Sequence, residues 1–194
     1  DLIRSEDEPK AANLSRHINN LALIYEDAGR LPEALKLFNE ALEINLDILG
    51  EDHPDTAMSL GNLAGVHSRL GNAAEALRLQ RQALDIREAR LPADHPHIAL
   101  SLNAIGCAML ETDDLDASDE LLQRAYSMRD KTDPNNPDIA PTLINLAALR
   151  MRQVRPDEAR SLLERALRIR EQRLGISHPL TIKSAKDLSV FDEE

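Results

Sequence analysis

The sequence predicts an all-α chain of stacked helical hairpins, and three observations predict it. Aromatic residues are 2% of 194, with no Trp, so a core must be built from Leu, Ile and Ala, which suits close-packed helices better than sheets. A landmark dipeptide recurs: His-Pro at 53–54, 95–96 and 178–179, with Asn-Pro at 136–137 in the third position, at intervals of 42, 41 and 42. Between landmarks the apolar residues follow helical spacing twice.

The elements follow in order. In the second unit Leu60, Leu63, Ala64 and His67 mark one helix; after Gly71-Asn72, the residues Ala76, Leu77, Leu84 and Ile86 mark a longer one. Gly29 and Gly71 suit the residue just past a helix end, where the backbone turns left-handed, and Asp113 can take that conformation at some cost. Val154 does not suit it. The fourth turn is therefore expected to differ, with Arg155-Pro156 opening the next helix. Each landmark Pro sits where a first helix begins and its missing N–H costs nothing. Ala34, Ala76, Ser118 and Ala159 share one register, and Ala41, Ala83, Ala125 and Ala166 another. Ala22, Ala64, Gly106 and Ala147 are small enough for close helix approach. The expected organisation is an extension or end of a preceding repeat at 1–10, repeats at 11–53, 54–95, 96–136 and 137–178, and a partial repeat or capping helix at 179–194.

Composition excludes several functions. A net charge of −11 argues against a nucleic-acid partner, whose affinity needs Lys and Arg on phosphates. No run approaches the ~20 apolar residues of a membrane span, and the first ten residues lack a signal-peptide profile. With Cys107 as the single cysteine, a reducing, cytoplasmic setting is expected. The chain opens with Asp1, as an excised or processed piece would, and 18 Arg against 5 Lys suit a GC-rich, bacterial genome.

Catalytic signatures are absent: no phosphate-cradling Gly-rich loop, no G-x-S-x-G and no H-E-x-x-H. Cys107 reads as a small buried hydrophobe. Asp113-Asp114 and Asp119-Glu120 read as solvated or as helix-start acids. Arg160, Arg165, Arg168, Arg170 and Arg173, interleaved with Glu158, Glu164 and Glu171, read as a solvated face with i,i+4 pairs. His53, His95 and His178, and the pair His95-x-His97, invite a metal reading. The copies stand a whole repeat apart, however, and zinc wants three or four convergent ligands, so capping is the better reading. No enzyme activity, metal or cofactor is expected.

Ile18-x2-Leu21-Ala22-x2-Tyr25, Gly29, Ala34-x3-Phe38, Ala41 and Pro54 together resemble the tetratricopeptide repeat (TPR). The period departs from the standard ~34 residues, the surplus lying in a longer second helix and a linker ending in His-Pro. Linkers such as Leu49-Gly50-Glu51-Asp52-His53-Pro54 and Leu174-Gly175-Ile176-Ser177-His178-Pro179 are similar to those of kinesin light chains and many bacterial regulators and scaffolds. The resemblance spans residues 11–182. It implies a right-handed α–α superhelix of about four hairpins plus a terminal capping helix, with first helices lining a concave groove.

On that basis the inner stripes are Arg16/Asn20/Leu23/Asp27, Met58/Asn62/Gly65/Arg69, Leu100/Ala104/Cys107/Glu111 and Pro141/Asn145/Ala148/Arg152. Asn20, Asn62 and Asn145 share a slot in which peptide-binding members of the family often hold a peptide backbone by its amides. The candidate partner-binding set is Arg16, Asn20, Asn62, Arg69, Asn103, Asn145 and Arg152. Two readings stay open: the Asn residues contact a ligand, or they satisfy partners between adjacent helices. The alternating Asp27, Arg69, Glu111 and Arg152 are expected to form inter-repeat ion pairs. The expected function is a non-enzymatic interaction module for a protein or peptide, with end-to-end self-association open. The rival is a regulatory or sensor segment of a larger protein whose effector domain lies outside this chain.

Overall fold

The computed structural model describes the backbone of residues 2–192 and the side chains of residues 13–191; residues 193 and 194 of the expected final segment lie outside the described residues. Among these residues all regular structure is helical. The chain forms two compact units, Asp1–Ala93 and Asp94–Glu194.

Unit 1 holds α1 (Leu2–Asp27), α2 (Leu31–Ile48), α3 (Pro54–Arg69) and α4 (Ala73–Arg90). The hairpins are α1–α2 and α3–α4, and α2 also packs on α3. Unit 2 holds α5 (Pro96–Glu111), α6 (Leu115–Thr132), α7 (Ala140–Arg152), α8 (Pro156–Leu174) and α9 (Pro179–Ser189). Here α5–α6 and α7–α8 are the hairpins, with α6 against α7 and α9 against α8. A single 3-10 turn, Pro137–Ile139, precedes α7. Pro141 explains it: with no N–H to give the carbonyl four residues back, Pro137 instead accepts from Ala140, three residues on.

The two alanine registers are the seams of the hairpins. Ala34, Ala159, Ala41, Ala83, Ala125 and Ala166 are fully buried. Ser118 replaces an alanine there without leaving a polar atom stranded, because its hydroxyl donates to the Gly106 carbonyl at 2.8 Å. Ala22, Ala64 and Ala147 are buried as expected. At Gly106 the constraint is stricter: a Cβ would lie 2.8 Å from Cγ of Leu122, itself fully buried, so no larger residue fits without moving α6. Around these seams unit 1 packs Phe38, Leu60, Leu63, Val66 and Leu79, and unit 2 packs Leu110, Leu122, Leu146 and Leu149.

Register also shows what stacking does. Leu63 and Val66 on α3 are buried beneath α2, whereas their equivalents on α1, Leu21 and Ile24, are 44% and 65% exposed. The same apolar stripe is covered wherever a preceding second helix lies on it.

All four hairpin turns close alike. After α1 the N–H of Gly29 donates to Glu26 and that of Arg30 to Tyr25; the same two bonds recur at Gly71/Asn72, Asp113/Asp114 and Val154/Arg155. This double bond pattern needs a left-handed residue. Gly29, Gly71, Asp113 and Val154 take φ of 74°, 80°, 64° and 59°. The expectation that the fourth turn would differ is thus corrected: packing of α7 on α8 imposes the common turn on a β-branched residue, although Pro156 does open α8 as expected.

Val154 is 85% exposed, so it contributes little burial to offset its backbone strain. A left-handed L-residue costs roughly 1–2 kcal/mol, and glycine's extra chain entropy returns about half of that. Val154→Gly should therefore stabilise the protein by about 0.5–1 kcal/mol, read as a higher urea midpoint. A lower midpoint would contradict the assigned turn.

Candidate functional site

The candidate residues fall on the first helices, and the structure pairs them differently from the register alone. Asn62 on α3 donates its side-chain amide to Oδ1 of Asn19 on α1 at 2.9 Å. Asn145 on α7 donates to Oδ1 of Asn103 on α5 at 3.1 Å. Asn19 is buried, while Asn62, Asn103 and Asn145 are half-buried and Asn20 is exposed. Each unit therefore joins its two first helices by one carboxamide pair, in which the shared slot faces the slot one residue earlier on its neighbour. Asn19 was missing from the sequence-based set. Its signal was present: Asn19 and Asn103 share a register that holds Gly61 in the second repeat.

The charged candidates pair in the same offset way. Arg69 meets Glu26, donating to its backbone carbonyl at 2.8 Å and lying 3.3 Å from Oε1; Arg152 meets Asp113 at 3.0 Å. Inter-repeat ion pairs were expected, but through Asp27 and Glu111; the actual partners lie one residue before and two after. Arg16 is exposed and bonds Asn13 at 3.3 Å.

In unit 2 the same face opens into a cleft of about 430 Å³. Its apolar lining includes Pro96, Leu100, Met128 and Pro141, with Asn103 in the wall and Asp94 and Asp138 at the edge. Leu100 is 48% exposed.

The landmark dipeptide has a structural explanation. Nδ1 of His53, His95 and His178 accepts from the backbone N–H two residues on, at 3.1, 3.1 and 3.2 Å. Oδ1 of Asn136 does so at 2.9 Å. Asn can replace His because both present one acceptor at the same reach, capping the helix that Pro opens. His97 stacks edge-on to His95 at 4.9 Å. Among the described residues no three His, Cys, Asp or Glu side chains converge as a metal site would require.

A second repeating device went unread. Asn45, Arg87, Arg129 and Arg170 share a register on the second helices; Ser59, Ser101, Thr142 and Ser184 share one on the following first helices. Asn45 donates to Ser59 at 3.0 Å and to the Asp55 carbonyl at 3.2 Å. Arg129 donates to Thr142 at 2.7 Å and the Asp138 carbonyl at 2.8 Å, and Arg170 to Ser184 at 2.6 Å and the Leu180 carbonyl at 3.0 Å. Each stitches one repeat to the next. Arg87 donates to the Ala57 carbonyl at 3.1 Å, and burial pushes its guanidinium down to about 10.

The reading of α8 as a solvated arginine face needs correction. Arg160 and Arg168 do pair with Glu164, but Arg165 reaches Tyr126 and Asp130, Arg170 is buried and Arg173 reaches the Asn135 carbonyl. Helical spacing alone cannot distinguish an outward arginine from one long enough to span to the preceding repeat. Asp119 is likewise no solvated acid: Arg150 holds both its oxygens, at 2.8 and 3.0 Å. Asp114 caps α6 as expected. Cys107 is half-buried rather than fully buried, and burial, with Glu111 adding, pushes its thiol pKa up, away from a reactive thiolate.

Paired helices, one hairpin per repeat and polar stitches at constant register define an α-helical repeat protein. A sequence profile of the tetratricopeptide repeat matches residues 13–89 and 138–190, more than half of the chain. The chain belongs to the tetratricopeptide-repeat family, and its structural neighbours are kinesin-light-chain-like. Two crystal structures of the nearly identical TPR-like repeats of a Podosopora anserina protein described as kinesin light chain superpose with a TM-score of 0.73 at 26% identity, over 92% of this chain and 84% and 85% of theirs. BtubC (BKLC) from P. vanneervenii superposes with a TM-score of 0.71 at 26% identity, over 86% of this chain and 66% of its own. No curated protein matches the sequence. TPR repeats are generally protein-interaction modules and such scaffolds are typically non-catalytic. No helix among the described residues is long and apolar enough to cross a membrane.

The Arg150 hydrogen bonds hold the Asp119 carboxyl below its usual range. A lowered acid contributes stability that is complete above about pH 4 and lost as pH falls through its folded-state value. Asp119→Asn should cost about 1–2 kcal/mol at pH 7, and that gap should close as urea melts are taken to pH 3. A gap independent of pH would assign the cost to packing.

Proposed function

We propose that the protein is a non-enzymatic module that binds an extended peptide of a partner protein along the exposed face of its first helices. The observation that carries this reading is the carboxamide pair of each unit. Asn145 gives one N–H to Oδ1 of Asn103, a bond that uses neither the Asn103 amide group nor the Asn145 carbonyl oxygen. A peptide backbone offers the complementary acceptor and donor, so it can be held without its sequence being read. Asn62 and Asn19 repeat the bond in unit 1, where Asn19 is buried and Asn62 is the half-buried member. Next to Asn103 the 430 Å³ cleft supplies an apolar recess for one side chain, the usual source of selectivity in such a mode. Arg16, Asn20, Arg69 and Arg152 are exposed on the same helices and serve as rim contacts.

The partner is protein rather than nucleic acid, in keeping with the net charge of −11, and the setting is cytoplasmic. Self-association is a second reading, favoured by the exposed Leu14, Leu21 and Ile24 stripe on α1.

A peptide selected from a random display library against the protein provides the test. Asn145→Ala should weaken it about tenfold or more, equivalent to ~1.4 kcal/mol, while the melting temperature stays within a few degrees. Parallel losses of affinity and stability would make the pair purely architectural. A selected peptide indifferent to Asn145 and Asn62 would overturn the proposal.

A further inference from the structure

The two units treat one equivalent groove in opposite ways. In unit 2, between α6 and α8, Arg165 lies over the Tyr126 ring, 5.4 Å from its centroid, and donates to the Tyr126 hydroxyl and to Asp130. The guanidinium occupies this part of the groove, while toward the start of α8 a cleft of about 380 Å³ remains beside Gln123, Ser161 and Leu162. At the same register in unit 1 stand Gln82 for Arg165, Leu42 for Tyr126 and Leu46 for Asp130, so the cation at that position of unit 2 has no counterpart there. A cleft of about 470 Å³ lies there instead.

Its floor is aliphatic, made by Leu42, Leu46, Leu79 and Ile86, and its rim carries three acids, Glu51, Asp52 and Asp85, against one cation, Arg78. Leu46 is 40% exposed. The nearby cations are engaged: Arg90 pairs with Asp52 at 3.0 Å, and Arg78 with Glu75 at 2.5 Å and Gln82 at 2.9 Å. Among the described residues Glu51 and Asp85 have no ion-pair partner. An apolar slot with two uncompensated carboxylates at its mouth matches one kind of visitor, a segment whose aliphatic side chain is flanked by Lys or Arg.

We propose that the α2–α4 groove of unit 1 binds a basic, leucine-bearing peptide segment of a partner protein. Its aliphatic side chain enters between Leu46 and Ile86, and its cation meets Glu51 and Asp85 much as Arg165 meets Asp130 inside unit 2. The site is formed by α2, α4, the linker between α2 and α3, and Thr56 and Leu60 of α3, and neither Asn19 nor Asn62 lines it. The net charge of −11 steers such a segment toward the protein, and the contact weakens with salt.

The probe is a fluorescein-labelled amphipathic peptide of Leu and Arg, with a matched Leu and Glu peptide as control, followed by anisotropy on the full chain. The Leu/Arg peptide is expected to bind at least about tenfold more tightly than the Leu/Glu peptide. Gln82→Arg gives unit 1 the residue that fills the groove in unit 2 and should weaken binding about tenfold or more. Asp85→Lys should do the same from an exposed position, and it decides the question if circular dichroism shows Gln82→Arg unfolded. Asp116→Lys, an equal charge change on the exposed face of α6, should leave binding within about twofold. The proposal is overturned if the Leu/Arg peptide does not bind, if the Leu/Glu peptide binds as well, if Asp116→Lys weakens binding as much as Asp85→Lys, or if folded Gln82→Arg or Asp85→Lys binds undiminished.

Discussion

Two antiparallel helices can bury one apolar seam between themselves, and a second apolar stripe then remains that only another hairpin can cover. The burial pattern of this chain follows from that constraint. Leu63 and Val66 vanish beneath α2, whereas Leu21 and Ile24 at the same register on α1 stay open. Because the two helices of a hairpin must come close, one residue per first helix is held small, and at Gly106 the space is already taken by Leu122 of α6. Apolar contact alone leaves two rods free to slide or rotate. Directional bonds at constant register remove that freedom: Asn45, Arg129 and Arg170 each engage one carbonyl and one hydroxyl of the next first helix within their units.

Much of this architecture was legible because it depends on properties a sequence displays directly, namely period, residue size and the backbone demands of Gly and Pro. The hairpins, alanine seams, proline starts and left-handed turns at Gly29, Gly71 and Asp113 are all of that kind. Val154 shows the boundary. Local propensity argued against a left-handed valine, and packing of α7 on α8 overrode it.

The site was less legible, and the reason is geometric. Aligning repeats by register tempts one to suppose that equal slots touch. Neighbouring first helices are instead displaced, so Asn62 meets Asn19 rather than Asn20, and Arg69 meets Glu26 rather than Asp27. An offset of one residue turns a side chain by about 100° around the helix axis, which is enough to change its partner. Arginine adds a further ambiguity, since its reach lets one helix place Arg160 beside its own Glu164 and Arg165 against the preceding repeat. Register identifies the recurring polar positions, but three-dimensional offset decides what they touch.

Recurrence itself separates scaffold from function in such a chain. A polar residue that returns in every repeat has a task every repeat shares: His and Asn cap the helix after the linker, and Asn and Arg stitch second helix to first. These roles consume the side chains that, read singly, suggested metal or anion chemistry. Ligand chemistry must then lie where the repeats diverge, because a partner meets a particular surface and not the average one. The Asn pairs occur once in each unit, and the groove that Arg165 fills in unit 2 stands open above Leu42 and Leu46 in unit 1. Exchange of a charged, self-satisfied contact for an aliphatic slot edged by unpaired acids does not serve hairpin stacking, since the stacked core beneath it, Leu60 and Leu79, is buried in any case. Such a departure carries information the repeat pattern cannot, and it is where the proposed recognition lies.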